Sequence, residues 1–283
     1  MKKNIFAVIV TFNQDNNLLS ELISNLIRCD INLIVVKNSE HKINVVSTNV
    51  YEIQNSYNIG LSAALNLGIK YCLKNNAEMI FLFDQDSRID ISSISSLIFE
   101  AEKLFNFENN IAAIGPSFVE LNTNKIHGFA RLKFLKVSSH RSRVNYNEAL
   151  YLITSGSVLN PKALIQVGLM DENLFIDYID VDWGMRARNF GYKLIGINSI
   201  VMNHMVGDNS INFLGRAVPV HSKFRLYYQT RNSIYMYKKS NVLIIWKISD
   251  FIYFLKRSFL YIFIDYKNLK IITKAIIDGL KMK

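Results

Sequence analysis

The chain opens on a continuous apolar run, Ile5 to Val10, and a second run, Leu33 to Val36, follows. Between them Leu18, Leu19, Leu22, Ile23, Leu26 and Ile27 recur at helical spacing. Short apolar runs on either side of a 3.6-residue period predict a strand, a helix and a strand. A third strand near Val50 to Ile53 leads through Asn58-Ile59-Gly60 into a helix carrying Leu61, Ala64, Leu65, Gly68, Ile69 and Leu73. The run Met79 to Phe83 comes next. Strands that are apolar throughout are buried on both faces, so this βαβα order predicts a parallel sheet with helices on both sides. Ligands of such sheets bind beyond the carboxyl ends of the strands. Thr11-Phe12-Asn13, Lys37-Asn38-Ser39, Asn55 to Gly60 and Asp84 to Asp86 all fall there.

After a helix over Ile94 to Leu104 and a strand at Ile111 to Ile114 the pattern changes. Phe118 to Asn147 is polar, basic and poorly periodic, and reads as a loop or hairpin region facing a ligand. Leu150 to Leu159, which contains Thr154-Ser155-Gly156-Ser157, reads as a strand whose glycine permits a close approach. Pro161 opens a helix at a position where its missing N–H costs little. Phe175 to Arg188 then sets Asp177, Asp180 and Asp182 ahead of a helical stretch with Arg186 and Arg188. A helix dipole favours Asp at its start, which accounts for Asp180 or Asp182 but not for Asp177 and Trp183 beside them.

Composition narrows the class. The chain has 283 residues, half of them hydrophobic and only three proline. That is enough for a large core and excludes a disordered or low-complexity protein. Cys29 and Cys72 are its two cysteines; without a CxxC pattern they argue against a disulfide framework or zinc site and for a reducing compartment. Ile5 to Val10 is short and has no small-residue cleavage site after it, so it reads as a core strand, not a secretory signal.

The net charge of +10 is unevenly placed: the segment beyond residue 219 holds 13 Lys+Arg against 3 Asp+Glu, and residues 1–219 are balanced. The expected division is a catalytic domain over 1–219 and a basic, aromatic helical tail over 220–283. Lys247, Asp250, Lys256 and Arg257 interrupt the apolar runs of the tail, leaving no bilayer-spanning segment. Basic residues interleaved with Trp246, Phe251, Tyr253, Phe254, Phe259 and Tyr261 suit an interfacial helix on an anionic membrane, or a helical cap on the domain. No RRM, zinc-finger or helix-turn-helix signature supports a nucleic-acid partner.

The candidate chemistry begins at Phe83-Asp84-Gln85-Asp86-Ser87, where a buried strand ends in two carboxylates one residue apart. Hard divalent cations use such oxygens together with substrate phosphates, although Asp and Ser also make turns and caps. Four further stretches accompany it in order: Val10-Thr11-Phe12-Asn13, Asn58 to Gly68, Thr154-Ser155-Gly156 and Phe175 to Arg188. Over residues 4 to 240 this ordered set resembles the inverting family 2 glycosyltransferases of GT-A fold, and within them the bacterial dTDP-rhamnosyltransferases of surface polysaccharide synthesis.

The resemblance implies an α/β, Rossmann-like, mostly parallel sheet with a C-terminal helical extension. Its implied reaction moves L-rhamnose from dTDP-rhamnose to a saccharide acceptor, lipid-linked, in O-antigen synthesis at the inner face of the bacterial cytoplasmic membrane. By position, Asp180 matches the general base. Asp84 and Asp86 match the DxD pair for Mg²⁺ or Mn²⁺, joined by a late histidine, His204. Thr11, Phe12, Asn13, Asn38, Asn58, Gly60, Asp84 and Gln85 match the nucleotide-sugar site, and Ser155, Gly156, Asp177, Asp182 and Trp183 the acceptor side. Trp183 offers its ring to a sugar or packs in the core. The chain departs from the family at Lys37, where an aspartate usually helps read the pyrimidine; the lysine contacts a phosphate or is solvated. Two other readings are a haloacid-dehalogenase-like phosphatase, whose DxDx[ST] spacing Asp84 to Arg88 lacks, and a non-catalytic membrane- or polysaccharide-binding module.

Overall fold

The computed structural model describes residues 3–12, 16–39, 49–120, 125–133, 136–140, 143–204, 209–213 and 216–283. The first half runs β1 (Ile5–Thr11), α1 (Asn16–Arg28), β2 (Asn32–Lys37), β3 (Val50–Gln54), α2 (Leu61–Lys74), β4 (Met79–Asp84) and α3 (Ile91–Phe107). Then come β5 (Ile111–Glu120), β6 (Lys125–His127), β7 (Phe129–Lys133), β8 (Lys136–His140), β9 (Tyr146–Ala149), β10 (Val158–Leu159), α4 (Pro161–Val167), α5 (Ile179–Asn189) and β11 (Lys193–His204). A small hairpin, β12 (Asn209–Phe213) and β13 (Arg216–Val220), precedes α6 (Lys223–Lys238), α7 (Ile244–Ile264) and α8 (Asn268–Lys281).

The main sheet has the order β3-β2-β1-β4-β10-β5-β11-β9, with β6 paired to the end of β5. Neighbours β3, β2, β1 and β4 are parallel, as are β5 and β11, while β10, β9 and β6 run antiparallel to their partners. Successive side chains of a strand point to opposite faces. Ile5, Ala7 and Ile9 accordingly pack with Leu19, Leu22, Leu26, Ile94 and Leu97 under α1 and α3. Phe6, Val8 and Val10 pack with Ala64, Leu65, Ile69 and Cys72 of α2 on the other side. This two-sided burial explains why the strands carry no alternation in sequence.

Phe118 to Asn147, expected as loop or hairpin, takes the hairpin form: β6 pairs antiparallel with β5 and β7 with β8, and β9 joins β11. One expectation changes. Of Leu150 to Leu159 only Val158 and Leu159 form strand. Gly156, at φ 80°, turns the chain, and its N–H donates to the carbonyl of Leu82 at 2.8 Å. The close approach to β4 is therefore real, but it is made by a bend.

The charge step at residue 219 is not a packing boundary. Tyr235, Met236, Val242 and Trp246 belong to the same core as Val8, Leu82 and Trp183. Ser222 caps α6 by accepting from the N–H of Arg225 at 3.3 Å. Helix α7 buries Trp246, Phe254, Arg257 and Tyr261. It exposes Ile244, Ile248, Phe251, Ile252, Leu255, Phe259 and Phe263, which at 100° per residue form one uncharged stripe along its outer face. Among the described residues no helix is long and apolar enough to cross a membrane.

Candidate active site

The carboxyl edge of the sheet gathers most of the residues singled out by sequence. Thr11 ends β1, and its carbonyl accepts from the N–H of Asn38, which follows β2, at 2.8 Å. The Asn38 side chain donates to Asn58 Oδ1 at 2.8 Å and accepts from the N–H of Ile59 at 3.0 Å. Asn58 Oδ1 in turn accepts from the N–H of Gly60 at 2.9 Å. These asparagines therefore shape the loop that enters α2. Gly60, at φ 89°, begins that helix against Phe175; a Cβ there would lie 2.6 Å from the Phe175 ring. The buried Thr11 hydroxyl has no hydrogen-bond partner among the described residues. Asn13 lies outside the described residues.

Lys37 does not lie in solvent. It is 4 % exposed and bonds to Glu52 of the adjacent β3 at 2.6 Å. A lysine at an interior strand end needs such a partner, because an unpaired buried charge is strongly disfavoured.

Beyond β4, Asp84, Gln85 and Asp86 are half-buried. Gln85 accepts from the N–H of Phe12 at 2.6 Å, which ties the ends of β4 and β1. Buried Ser87 shares a hydrogen bond with buried Ser155, joining this turn to the bend at Gly156. The N–H of Asn203 donates to the carbonyl of Arg88 at 3.2 Å, bringing the end of β11 alongside. His204 is the last residue of β11, and its side chain lies outside the described set. Among the described residues no third His, Cys, Asp or Glu joins Asp84 and Asp86 into a metal-binding group. Two carboxylates nonetheless fit Mg²⁺ or Mn²⁺, which usually completes its shell with substrate phosphates and water.

Asp180 sits in the first turn of α5, where one carboxylate oxygen accepts from the N–H of Val181 at 2.9 Å. Burial pushes its pKa up to about 6, and the charges of Asp177 and Asp84 add to the rise against the opposing Val181 hydrogen bond. A carboxyl tuned toward neutrality and within electrostatic reach of the Asp84 turn has the character of a general base. Asp180 lines a small cavity with Leu82, Thr154, Ser157 and Trp183. A larger one, about 190 Å³, shares Leu152 and Ser157 with it and is walled by Phe118, His127, Phe129 and Tyr151.

The other acidic positions lie elsewhere. Asp182 is 0 % exposed and is held by Arg186 at 2.8 Å and Lys239 at 2.6 Å. Trp183 is 3 % exposed and donates to the carbonyl of Gly168 at 3.0 Å. Both are buried in the core, Trp183 with one edge on the small cavity beside Asp180. Asp177 is occupied by Arg225 of α6 at 3.0 Å. The cavity aromatics were not legible as site residues because their stretch lacks periodicity, although its polar, basic composition pointed to a ligand-facing role.

No family model matches the chain. The dTDP-rhamnosyl transferase RfbF of Shigella flexneri is 30 % identical over 296 residues, covering 99 % of this chain and 97 % of that protein. The chain belongs to the family 2 rhamnosyltransferases. Among solved structures, GalNAc-T7 with UDP, GalNAc and Mn²⁺ superposes with a TM-score of 0.58 at 12 % identity, over 82 % of this chain and 51 % of that one. S. aureus TarS 1–349 gives 0.51 at 12 % identity, over 83 % and 66 %. The chain thus spans about half the first structure and about two thirds of the second. At such identities the likeness shows the fold, and the fold of this rhamnosyltransferase family member is GT-A. The dehalogenase-like and non-catalytic readings are not favoured.

Proposed function

We propose that this glycosyltransferase moves L-rhamnose from dTDP-rhamnose to a saccharide acceptor in one displacement, with inversion, in surface polysaccharide synthesis of the O-antigen type. The full-length relationship to a dTDP-rhamnosyl transferase carries the donor assignment. Placement of Asp180 within reach of the Asp84 turn supports the reaction type. Thr11, Phe12, Asn38, Asn58 and Gly60 form the candidate nucleotide side, with Asn13 expected beside them. Lys37 is committed to Glu52, so base recognition falls to these neutral groups.

Asp84 and Asp86 would hold Mg²⁺ or Mn²⁺, with His204 as a further candidate ligand; a divalent cation held there would supply positive charge to offset that of the departing diphosphate. Asp180 takes the proton of the acceptor hydroxyl as that oxygen attacks the anomeric carbon from the face opposite the nucleotide. A single attack of this kind inverts configuration, and no covalent intermediate forms. Ser155 and Gly156 line the bend between donor and acceptor sides. The cavity of Phe118, His127, Phe129 and Tyr151 supplies aromatic faces for the acceptor sugar, in place of buried Asp182 and Trp183.

The acceptor is read as lipid-linked and the enzyme as peripheral on the inner face of the cytoplasmic membrane. The uncharged stripe on α7 and the cationic excess beyond residue 219 support that reading. A stripe of this kind lies in a headgroup interface, and its basic surroundings favour anionic lipid.

The deciding experiment is a thermal-shift panel with Mn²⁺ or Mg²⁺ and UDP, dTDP, GDP or CDP, since a ligand of the folded state raises apparent stability. Metal-dependent stabilisation by dTDP above the others is expected; a preference for another nucleotide removes dTDP-rhamnose as donor. Asp86→Ala should abolish the metal-dependent part of the shift, and an unaltered metal response removes Asp86 as ligand.

A further inference from the structure

We infer that helix α6 is a template for the active site and that Asn232 is a positioning residue, holding the backbone segment that delivers Asp180. The inference rests on the reading of Asp180 as base. Within four positions of the segment before α5, three non-glycine residues, Phe175, Asp177 and Tyr178, have φ of 60°, 63° and 65°. Such conformations are strained for residues with a Cβ and persist only where the surroundings impose them.

The imposing groups lie on one face of α6 and its end. Arg225, Tyr228, Asn232, Tyr235 and Lys239 follow one another at intervals of three and four residues, so they share that face. They meet the chain between Asp171 and Asp182. Arg225 grips both carboxylate oxygens of Asp177 at 3.0 to 3.3 Å. Tyr228 stacks on Phe175 with centroids 4.7 Å apart. The amide of Asn232, 0 % exposed, donates to the carbonyls of Leu174 at 2.6 Å and Ile176 at 2.8 Å, with that of Asp177 at 3.2 Å. Tyr235 donates to Asp171 at 3.0 Å, and Lys239 bonds to Asp171 and Asp182.

From the far side, the N–H of Leu61 at the start of α2 donates to the carbonyl of Phe175 at 2.6 Å. The segment is thus strung between the donor-side helix and α6. Tyr178, the residue before α5, donates its hydroxyl to Asp250 of α7 at 2.9 Å and is bonded to Ser233 at 2.7 Å. Asp180 follows two residues later. The Leu174 carbonyl also accepts from the N–H of Ile176 at 2.7 Å and from Arg231 at 3.2 Å, so it is at the carbonyls of Ile176 and Asp177 that the Asn232 amide matters most, and a buried carbonyl left unmet is strongly disfavoured.

The test compares Asn232→Ala with Tyr227→Phe. The Tyr227 hydroxyl bonds to Asp278 of α8 at 2.6 Å, so its loss weakens the tail without touching the segment. The readouts are release of dTDP from dTDP-rhamnose with water as acceptor, and amide hydrogen exchange. For Asn232→Ala, kcat should fall about 100-fold with donor KM changed less than about twofold, the signature of lost geometry with binding retained. Exchange over 174–182 should rise at least about tenfold while α2 stays protected. Tyr227→Phe should leave both unchanged. Arg225→Gln keeps the Asn232 amide and should give the same split at smaller size, which decides the matter if Asn232→Ala does not fold. Unchanged kcat in folded Asn232→Ala, an equal loss in Tyr227→Phe, or no split in Arg225→Gln overturns the inference. A wild-type protein that releases no dTDP overturns the donor reading instead, and the exchange comparison then decides the role of Asn232.

Discussion

At the scale of single residues, Asp180 carries the sharpest consequences. Its carboxyl titrates near 6 because burial and the charges of Asp177 and Asp84 disfavour ionisation. A base works only when deprotonated, so transfer should rise with pH through about 6, as a pH profile of kcat/KM would report. The same shift has a stability sign. Between the unfolded pKa near 3.8 and the folded one near 6, the native state binds more protons than the unfolded chain. This carboxyl therefore destabilises the fold as pH rises across that window, and the penalty is fully present at neutral pH. Asp180→Asn should cut transfer by about 10²–10⁴-fold, retain nucleotide binding, and gain on the order of 1–3 kcal/mol in urea unfolding at pH 7.5. Undiminished transfer removes Asp180 as base; lower stability of the variant contradicts the account of its environment. Asp84 and Asp86 stood out in sequence as carboxylates at the end of an apolar strand, whereas Asp180, at the start of a helix, was singled out only by the family resemblance. Asp182 looked equivalent to Asp180 in sequence, and only packing separated them. Two positions along a helix turn the side chain by 200°, which takes Asp182 inward to Arg186 and Lys239.

At the scale of elements, the strands and helices of the first hundred residues follow from hydrophobic pattern, because β1, β2 and β4 are covered on both faces and each helix on one, with only the edge strand β3 largely exposed. The 150–157 bend did not follow, since an apolar run with one glycine reads alike as strand or turn until its hydrogen bonds to Leu82 are known. Helix α5 is anchored through Lys239, which bridges Asp182 and Asp171 with little solvent access. Breaking a buried ion pair from one side leaves an uncompensated charge. Lys239→Met should therefore cost about 3–5 kcal/mol in chemical denaturation, and a loss within about 0.5 kcal/mol, as at an ordinary surface site, would show that the lysine is dispensable.

At the scale of the whole molecule, the tail has two faces with different partners. Its inner face completes the core through Tyr235, Met236, Val242 and Trp246. A chain ending at residue 219 should therefore expose the apolar surface beneath α6 and α7 and fail to unfold cooperatively in calorimetry; a sharp native-like transition would restore an independent domain over 1–219. Its outer face bears the α7 stripe. Phe259→Asp and Leu255→Asp, both at exposed positions, should abolish flotation with anionic vesicles while leaving nucleotide binding intact. Wild-type flotation should weaken from 0.05 to 0.5 M salt, roughly the range over which the Debye length falls below 10 Å. Binding unaffected by both charged substitutions would separate α7 from the membrane.

The sequence by itself determined the parallel strands, their helices, the placing of Asp84 and Asp86 at a strand's carboxyl end, and the family. These are properties of local periodicity and of short motifs, and periodicity reports directly which faces are buried. Only the tertiary structure decided that Lys37 pairs with Glu52, that Asp182 and Trp183 are internal, and that the basic tail grips the segment bearing Asp180. Each of those outcomes depends on contacts between residues far apart in the chain, such as Asn232 with Leu174. The charge step at residue 219 recorded composition, whereas the boundary of a folded unit is set by where apolar surface is buried.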